Sequence, residues 1–554
     1  MRRPPLARAG RPARARPQGR RTGAADDAGR GGLDDRPARR RSAVGPHAVP
    51  VRKTHPLAAG DGRRVSAADR RHGPEHRTDG TRHPGPDPLV QSCCGTFGST
   101  GDFYPMANEA DDAQDAVAWL RTQPWFDGRL ATSGGSYVGW TQWALLMDPP
   151  PELRTSLIAV APHDMHEGVY GGGAFHLNDF LAFAEIVVDQ EKYTGLRGVP
   201  RLLNVKRRLA PVFGALPLAD AADAATGHRT PWFREWLTTP ERDDAVWDRL
   251  KLDDALERVN VPVRLTACWQ DLFLDQTLHQ YESLRARGID VSLTVGPWTH
   301  QEQGQKDMGR LLRDNLAWLE THLADEAPAQ ARSALPVEVY VTGLGAWRQL
   351  AEWPPVGGET VRYLQPDGRL LADEPTGGPP STYVYDPANP TPTLGGPLLT
   401  LDGGSKDNAK LESRSDVLTF TTEPLTAPLE IMGTPVVDLA HTRNNPYADV
   451  FVRLCDVDPE GVSRNFAEGL LRLDPASPLD QVQTVRVRLN ACAHQVKAGH
   501  RIRLLIAGGS HPRYARNEGT SATPGTGTEL RPCTHTVHHA PGAVSRVVLP
   551  TPSE

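Results

Sequence analysis

The stretch Ser133-Gly134-Gly135-Ser136-Tyr137-Val138-Gly139 decides the fold. A short apolar run, Leu130-Ala131-Thr132, leads into it, and a helix-like run, Trp140-Thr141-Gln142-Trp143-Ala144-Leu145-Leu146-Met147, leads out. A serine between small residues at a strand-to-helix turn is the layout of a nucleophile elbow, where the backbone is strained and glycines relieve the crowding. The following helix N-terminus aims backbone N–H groups at the place where an oxyanion would form. The spacing is Gly-x-Ser-x-x-Gly rather than Gly-x-Ser-x-Gly, and taken alone it equally fits a Gly-rich loop that holds a serine. The segments on either side decide between the two.

Downstream of Leu89 the chain alternates strand and helix. Leu89-Val90-Gln91 reads as a strand end, and Glu109 to Arg121 as an amphipathic helix with Ala113, Ala116, Val117 and Leu120 on one face. Ser156-Leu157-Ile158-Ala159-Val160-Ala161 is a compact apolar run of the kind found in buried parallel strands. Residues 165–255 interrupt the alternation with Gly171-Gly172-Gly173 and helical stretches rich in Leu and Trp, which predicts a helical cap. Strands resume at Val261–Ala267 and Val291–Val295, followed by helices at Leu278–Arg287 and Leu311–Leu323. The expectation is a doubly wound α/β core over 89–164 and 256–330, with the cap at 165–255. Beyond Leu335 short alternating runs such as Val337–Val341, Val450–Leu454 and Arg501–Ile506 lie between Gly, Pro and Asp turns. They predict an all-β sandwich over 335–554, of jelly-roll type.

Acyl transfer by serine needs a base to take its proton and an acid to orient that base. In the α/β-hydrolase order these come as Ser, acid, His, the last two in loops that follow strands. Asp271 follows Cys268-Trp269-Gln270 and His300 follows Gly296-Pro297-Trp298-Thr299, each at the end of its own predicted strand. Ser136, Asp271 and His300 are therefore the expected triad, with the backbone N–H of Tyr137 as an oxyanion donor. Asp271 could instead be an ordinary loop carboxylate, Asp275 and Asp164 are rival acids, and 19 histidines make one well-placed His uninformative by itself. The agreement of three separate strand ends favours the triad.

The runs Gly95-Thr96-Phe97-Gly98-Ser99-Thr100-Gly101-Asp102-Phe103, Gly135-Ser136-Tyr137-Val138-Gly139, Trp269-Gln270-Asp271 and Gly296-Pro297-Trp298-Thr299-His300 resemble the CocE/NonD hydrolases, related to the cocaine esterases and the S15 X-Pro dipeptidyl-peptidases. Arg453-Leu454-Cys455-Asp456-Val457-Asp458-Pro459-Glu460-Gly461 and Ala498–Leu504 are similar to that family's C-terminal jelly roll. The resemblance spans about residues 89 to 550. It implies an α/β-hydrolase core, helical cap and β-sandwich, with the same triad. It also implies a substrate-pocket role for Phe273, for which core packing is the alternative, and for Trp269. The family carries an N-terminal Tyr whose hydroxyl completes the oxyanion hole. Here no Tyr precedes Tyr104, and Val51-Arg52-Lys53-Thr54 is followed by His55-Pro56-Leu57. The family's Arg in a Gln-Asp-x-Arg-Gly-like run is replaced by Cys94. Loss of one oxyanion donor costs on the order of 100- to 1000-fold in rate, so impaired activity is expected.

Residues 1–88 hold no Phe, Tyr, Trp, Ile or Cys and are dense in Arg, Gly, Ala, Pro and Asp. Such a segment cannot bury enough apolar surface to offset its ordering entropy. It reads as a disordered tail, as a basic arm for nucleic acid or acidic partners, or as off-frame translation of a GC-rich gene, the last fitting the missing Tyr and first strands. A net charge of -5 gives no global argument for a nucleic-acid or membrane partner, and no apolar run is long enough to span a bilayer, so neither partner is expected. The six cysteines lack metal spacing, and Arg2-Arg3 is followed by no apolar leader, so a reduced, cytoplasmic protein is the expectation. No metal or organic cofactor is called for. The expected partner is a small ester or amide, or a short peptide, and a homo-oligomer is compatible with the sequence. Three functions stay open: a serine esterase or amidase, an X-Pro dipeptidyl-peptidase, and a weak or dead hydrolase acting as a binding module.

Overall fold

A computed structural model of the chain describes residues 88–193, 200, 203–323 and 335–553. The readings made for residues 1–87 lie outside the described residues. The first layer is a six-stranded sheet in the order β1 (Leu130–Gly135), β2 (Leu153–Ala159), β3 (Val263–Gln270), β4 (Val291–Thr299), β5 (Val337–Val341), β6 (Ala346–Leu350). β1 to β5 run parallel and β6 returns antiparallel. Parallel strands need crossovers, and helices supply them. α1 (Glu109–Arg121) precedes β1, and α2 (Tyr137–Leu145) joins β1 to β2. Between β2 and β3 the chain makes α3 (Met165–Tyr170), α4 (Leu177–Val188), α5 (Val205–Gly214), α6 (Leu218–Thr226), α7 (Pro231–Thr238) and α8 (Asp253–Arg258), all in the predicted cap region or its edge. α9 (Leu274–Ala286) and α10 (Met308–Leu323) complete the layer.

The strands are rich in Val, Leu and Ala because both faces are covered: Ile158, Val263, Leu265, Leu293 and Val295 are buried together with Trp140 and Trp143 of α2. The cap has an aromatic interior of Phe175, Phe180, Trp232, Phe233, Trp236 and Trp247, continuous with the core below it. Trp232 and Trp236, one turn apart on α7, bring their ring centroids to 4.8 Å.

Two expectations change. Val337–Val341 does not open the sandwich; it extends the α/β sheet as β5, parallel to β4, and β6 follows it there. Its alternation, with Val337, Val339 and Val341 buried, suits a sheet end as well as a sandwich strand, and α10 provides the crossover that parallel pairing requires. Leu89–Gln91 contains only a single bridge residue, Val90.

The β-rich part therefore starts near Gly357. One sheet orders Val417–Thr421, Arg501–Ala507, Asp449–Val457 and Ser463–Arg472. The other orders Leu370–Leu371, Gly357–Leu364, Arg546–Pro552, Val436–Arg443, Cys533–Val537 and Ser381–Tyr385, with Gln483–Arg488 also paired to Val436–Arg443. Leu439, Val450, Val452, Leu504, Ile506 and Val547 fill the space between them, as in a β-sandwich. A single short helix, Ala409–Glu412, breaks the all-β run among the described residues. The Gly171–Gly173 turn of the cap meets this sandwich. Gly172 has φ +77°, and a Cβ there would lie 2.2 Å from the carbonyl oxygen of Leu470, so only glycine allows the approach.

Candidate active site

β1 ends at Gly135, and Ser136 takes φ 56°, ψ −123° before α2 begins at Tyr137. A positive φ at a residue with a side chain is strained, and the surrounding ladder holds it in place. The Ser136 N–H donates to the Ala159 carbonyl of β2 at 2.9 Å, while the Ser136 carbonyl accepts from the N–H groups of Gly139 and Trp140 at 2.9 Å. The serine side chain is thereby pushed out at the carboxyl edge of the sheet.

β3 and β4 end at the same edge. Asp271 follows β3 and His300 follows β4. His300 Nδ1 lies 2.8 Å from Asp271 Oδ2, and His300 Nε2 lies 2.9 Å from Ser136 Oγ. The His and Asp side chains are 2% and 1% exposed, so water competes little for these bonds. This geometry suits an imidazole that donates from Nδ1 and accepts at Nε2. Asp271 Oδ1 accepts from the Phe273 N–H at 2.5 Å, which fixes the carboxylate from its other oxygen. A hydroxyl, a base and a buried orienting carboxylate in line are the parts that base-assisted nucleophilic attack requires.

The other predicted residues divide. The Tyr137 N–H lies in the first turn of α2, where backbone donors have no intrahelical acceptor. Phe273 is buried and sets its ring edge-on to His300, centroids 5.8 Å apart, so it packs on the base. Trp269 is engaged with β5 and with Trp353. Its indole N–H donates to the Tyr340 carbonyl of β5 at 2.7 Å, and its buried ring packs on Trp353 with centroids 5.3 Å apart. The rival acids are engaged elsewhere. Asp164 caps α3 by accepting from the Glu167 N–H and pairs with Arg242, and Asp275 accepts from Asn490.

Sequence reasoning missed two neighbours of the elbow. Glu109, at the start of α1, is buried and accepts a hydrogen bond from the Tyr137 hydroxyl. Phe183 of α4 stacks on the Tyr137 ring at 6.3 Å. Glu109 reads from sequence as one of several first-turn acids, and nothing local marks it as buried.

Burial sets the electrostatics around the site. It raises the Glu109 carboxyl above its ordinary range. It pushes the Cys93 thiol up to about 12, helped by the charges of Glu109 and Asp112. On α4, burial raises Asp179 to about 6. The same desolvation holds His163 at about 4 and His176 at about 3, so both are neutral near pH 7.

Residues 88–302 match the family model of the X-Pro dipeptidyl-peptidase (S15 family), and residues 330–548 match that of the X-Pro dipeptidyl-peptidase C-terminal non-catalytic domain. Together the two matches span most of the chain, which is similar throughout to serine hydrolases of the CocE/NonD and S15 type. The chain is 27% identical over 505 residues to a cocaine esterase from Rhodococcus sp. (strain MB1 Bresler), an alignment that covers 83% of this chain and 87% of the relative. Its fold is similar to that of an aminopeptidase from a marine sediment archaeon, Thaumarchaeota archaeon, with TM-score 0.71, 24% identity and coverage of 84% and 85% of the two chains. It is also similar in fold to an α-amino acid ester hydrolase, with TM-score 0.70, 24% identity and the same coverage. Among the described residues, no helix is long and apolar enough to cross a membrane.

Proposed function

We propose that this serine hydrolase cleaves small carboxylic esters through a Ser136–His300–Asp271 triad and an acyl-enzyme. The observation that carries the reading is the line of hydrogen bonds from Ser136 Oγ through His300 to Asp271, at 2.9 and 2.8 Å. In the first half-reaction Ser136 Oγ attacks the substrate carbonyl carbon and passes its proton to His300 Nε2. Asp271 holds the imidazole in the right tautomer and stabilises the imidazolium. The carbonyl oxygen becomes an oxyanion facing the Tyr137 N–H, at the positive end of α2. Collapse breaks the C–O bond, and the His300 Nε2 proton goes to the departing alcohol. Water then attacks the acyl-enzyme with His300 again as base, and the acid leaves with Ser136 restored.

A second reading is cleavage of an amide after an X-Pro unit, with the same triad and an amine as leaving group. It is favoured by the S15 family matches over both halves of the chain. A panel of p-nitrophenyl acetate, butyrate and benzoate beside Ala-Pro-p-nitroanilide separates the two. The ester reading expects p-nitrophenol release with an initial burst equal to the enzyme concentration. Turnover confined to the anilide would replace it with the peptidase reading. A folded sample that turns over neither would leave a binding module.

A further inference from the structure

Three acids stand in the first turn of α1: Glu109, Asp111 and Asp112. Glu109 alone of these is buried, at 3% exposure. Its carboxylate makes two contacts, and both organise the region of the elbow. One oxygen accepts from the Tyr137 hydroxyl, and the other accepts from the Asn108 N–H at 3.0 Å. The Tyr137 hydroxyl in turn accepts from the Met106 N–H at 3.0 Å. One turn further along α2, the Trp140 indole donates to the Met106 carbonyl at 2.9 Å. Residues 106–109 are thus bonded to α2 at two successive positions on one helix face. Met106 itself sits at φ 70°, a conformation that these bonds hold. Phe183 stacks on the Tyr137 ring from the cap side.

Tyr137 is therefore fixed at its ring face and at its hydroxyl, and its peptide N–H is the donor next to Ser136. A backbone donor has no side chain of its own to aim it. Here the side chain of the same residue anchors the first turn of the helix, and Glu109 anchors that side chain. We propose that Glu109 is a positioning residue for the oxyanion site: through the Tyr137 hydroxyl it sets the orientation of the Tyr137 N–H. The proposal rests on the reading of Ser136 as nucleophile. Glu109 touches no reacting atom, so its loss should lower transition-state stabilisation while leaving substrate binding alone.

The test is kcat per competent site. A fluorophosphonate titrates the number of reactive serines, and turnover of a p-nitrophenyl ester is divided by that number. Glu109→Ala is expected to lower kcat per site by about 10- to 100-fold with KM within about twofold, the scale of a displaced oxyanion donor. Affinity for an aryl boronic acid, which mimics the tetrahedral state, should fall by the same factor. Glu109→Gln keeps an acceptor for the Tyr137 hydroxyl and should recover most of the loss. A Glu109→Ala enzyme with fewer titratable sites but unchanged kcat per site would overturn the proposal, because Glu109 would then only support the fold. If Glu109→Ala yields no folded protein, Tyr137→Phe removes the same bond from its other end. The same loss per site is then expected, and unchanged kcat per site overturns the proposal. Labelling that survives Ser136→Ala would instead sink the reading of the nucleophile, whatever the Glu109 variants do.

Discussion

The Phe273 N–H donates to Asp271 Oδ1 at 2.5 Å, while the other oxygen of the same carboxylate holds His300 at 2.8 Å. The turn after β3 thus orients the acid that orients the base. Asp271 is 1% exposed, so both bonds act in a site that excludes water.

Asp271→Asn preserves shape but offers His300 the wrong hydrogen-bonding partner. Ester turnover should fall by roughly 10⁴-fold while the fold persists, because the imidazole is then held in the unproductive tautomer. Steady-state kinetics beside far-UV circular dichroism check this, and a loss under about tenfold would remove Asp271 from the mechanism.

Trp269 and Phe273 separate packing from chemistry. Trp269→Phe leaves the Tyr340 carbonyl without its donor and should destabilise by about 1–3 kcal/mol, with KM unchanged across acyl chains of different size. Phe273→Ala strips a ring from the face of His300 and should cost about 3–5 kcal/mol in stability. It should also lower kcat by disordering the base. Urea titrations and an ester series test both, and a chain-length-dependent KM in Trp269→Phe would restore a pocket role.

Gly139 sits where α2 crosses β2. A Cβ there would lie 2.4 Å from the Cβ of Ala161, so Gly139→Ala forces the elbow helix away from the sheet. Overpacking of this kind costs about 1–3 kcal/mol, and a lower melting temperature with slower fluorophosphonate labelling is expected. Unchanged values for both would mean that the helix has room to shift.

Stability should fall in acid. His163, His176 and His441 are held neutral by burial at about 4, 3 and 4, below the ordinary 6.5. Between pH 6.5 and about 4 the unfolded chain binds protons at these sites and the native chain does not. Each therefore takes away stability as pH falls, on the order of 2 kcal/mol. Asp179 acts the other way: its carboxyl is raised to about 6 from 3.8, so the native state takes up the proton first and gains stability across the same window. His511, held at about 4, and the buried His535 act with these histidines, while raised carboxyls such as Glu109 and Asp275 act with Asp179; the histidines are expected to outweigh them and give a lower urea midpoint at about pH 5 than at about pH 7.5. Equal midpoints would show that the histidines are hydrated or paired.

What could be read from the sequence was local. Ser136, Asp271 and His300 each end a strand, and short buried strands followed by helices are legible as apolar runs with turns. The cap announced itself by breaking that alternation at residues 165–255. What stayed hidden depends on contacts between distant segments. Val337–Val341 has the same alternating pattern whether it joins the α/β sheet or the sandwich, and only its pairing with β4 decides. The bond from the Trp269 indole to the Tyr340 carbonyl, far along the chain, has no local signal either. Glu109 carries the signal of a solvent-facing helix start, and its bond to Tyr137 joins it to a residue 28 positions on.

The central claim is that Ser136 is the nucleophile activated by His300. Peptide mapping after reaction with a fluorophosphonate tests it most directly. The expected result is a single adduct on Ser136, absent in Ser136→Ala and formed far more slowly in His300→Ala. An adduct on another residue, or one that persists in Ser136→Ala, would contradict it.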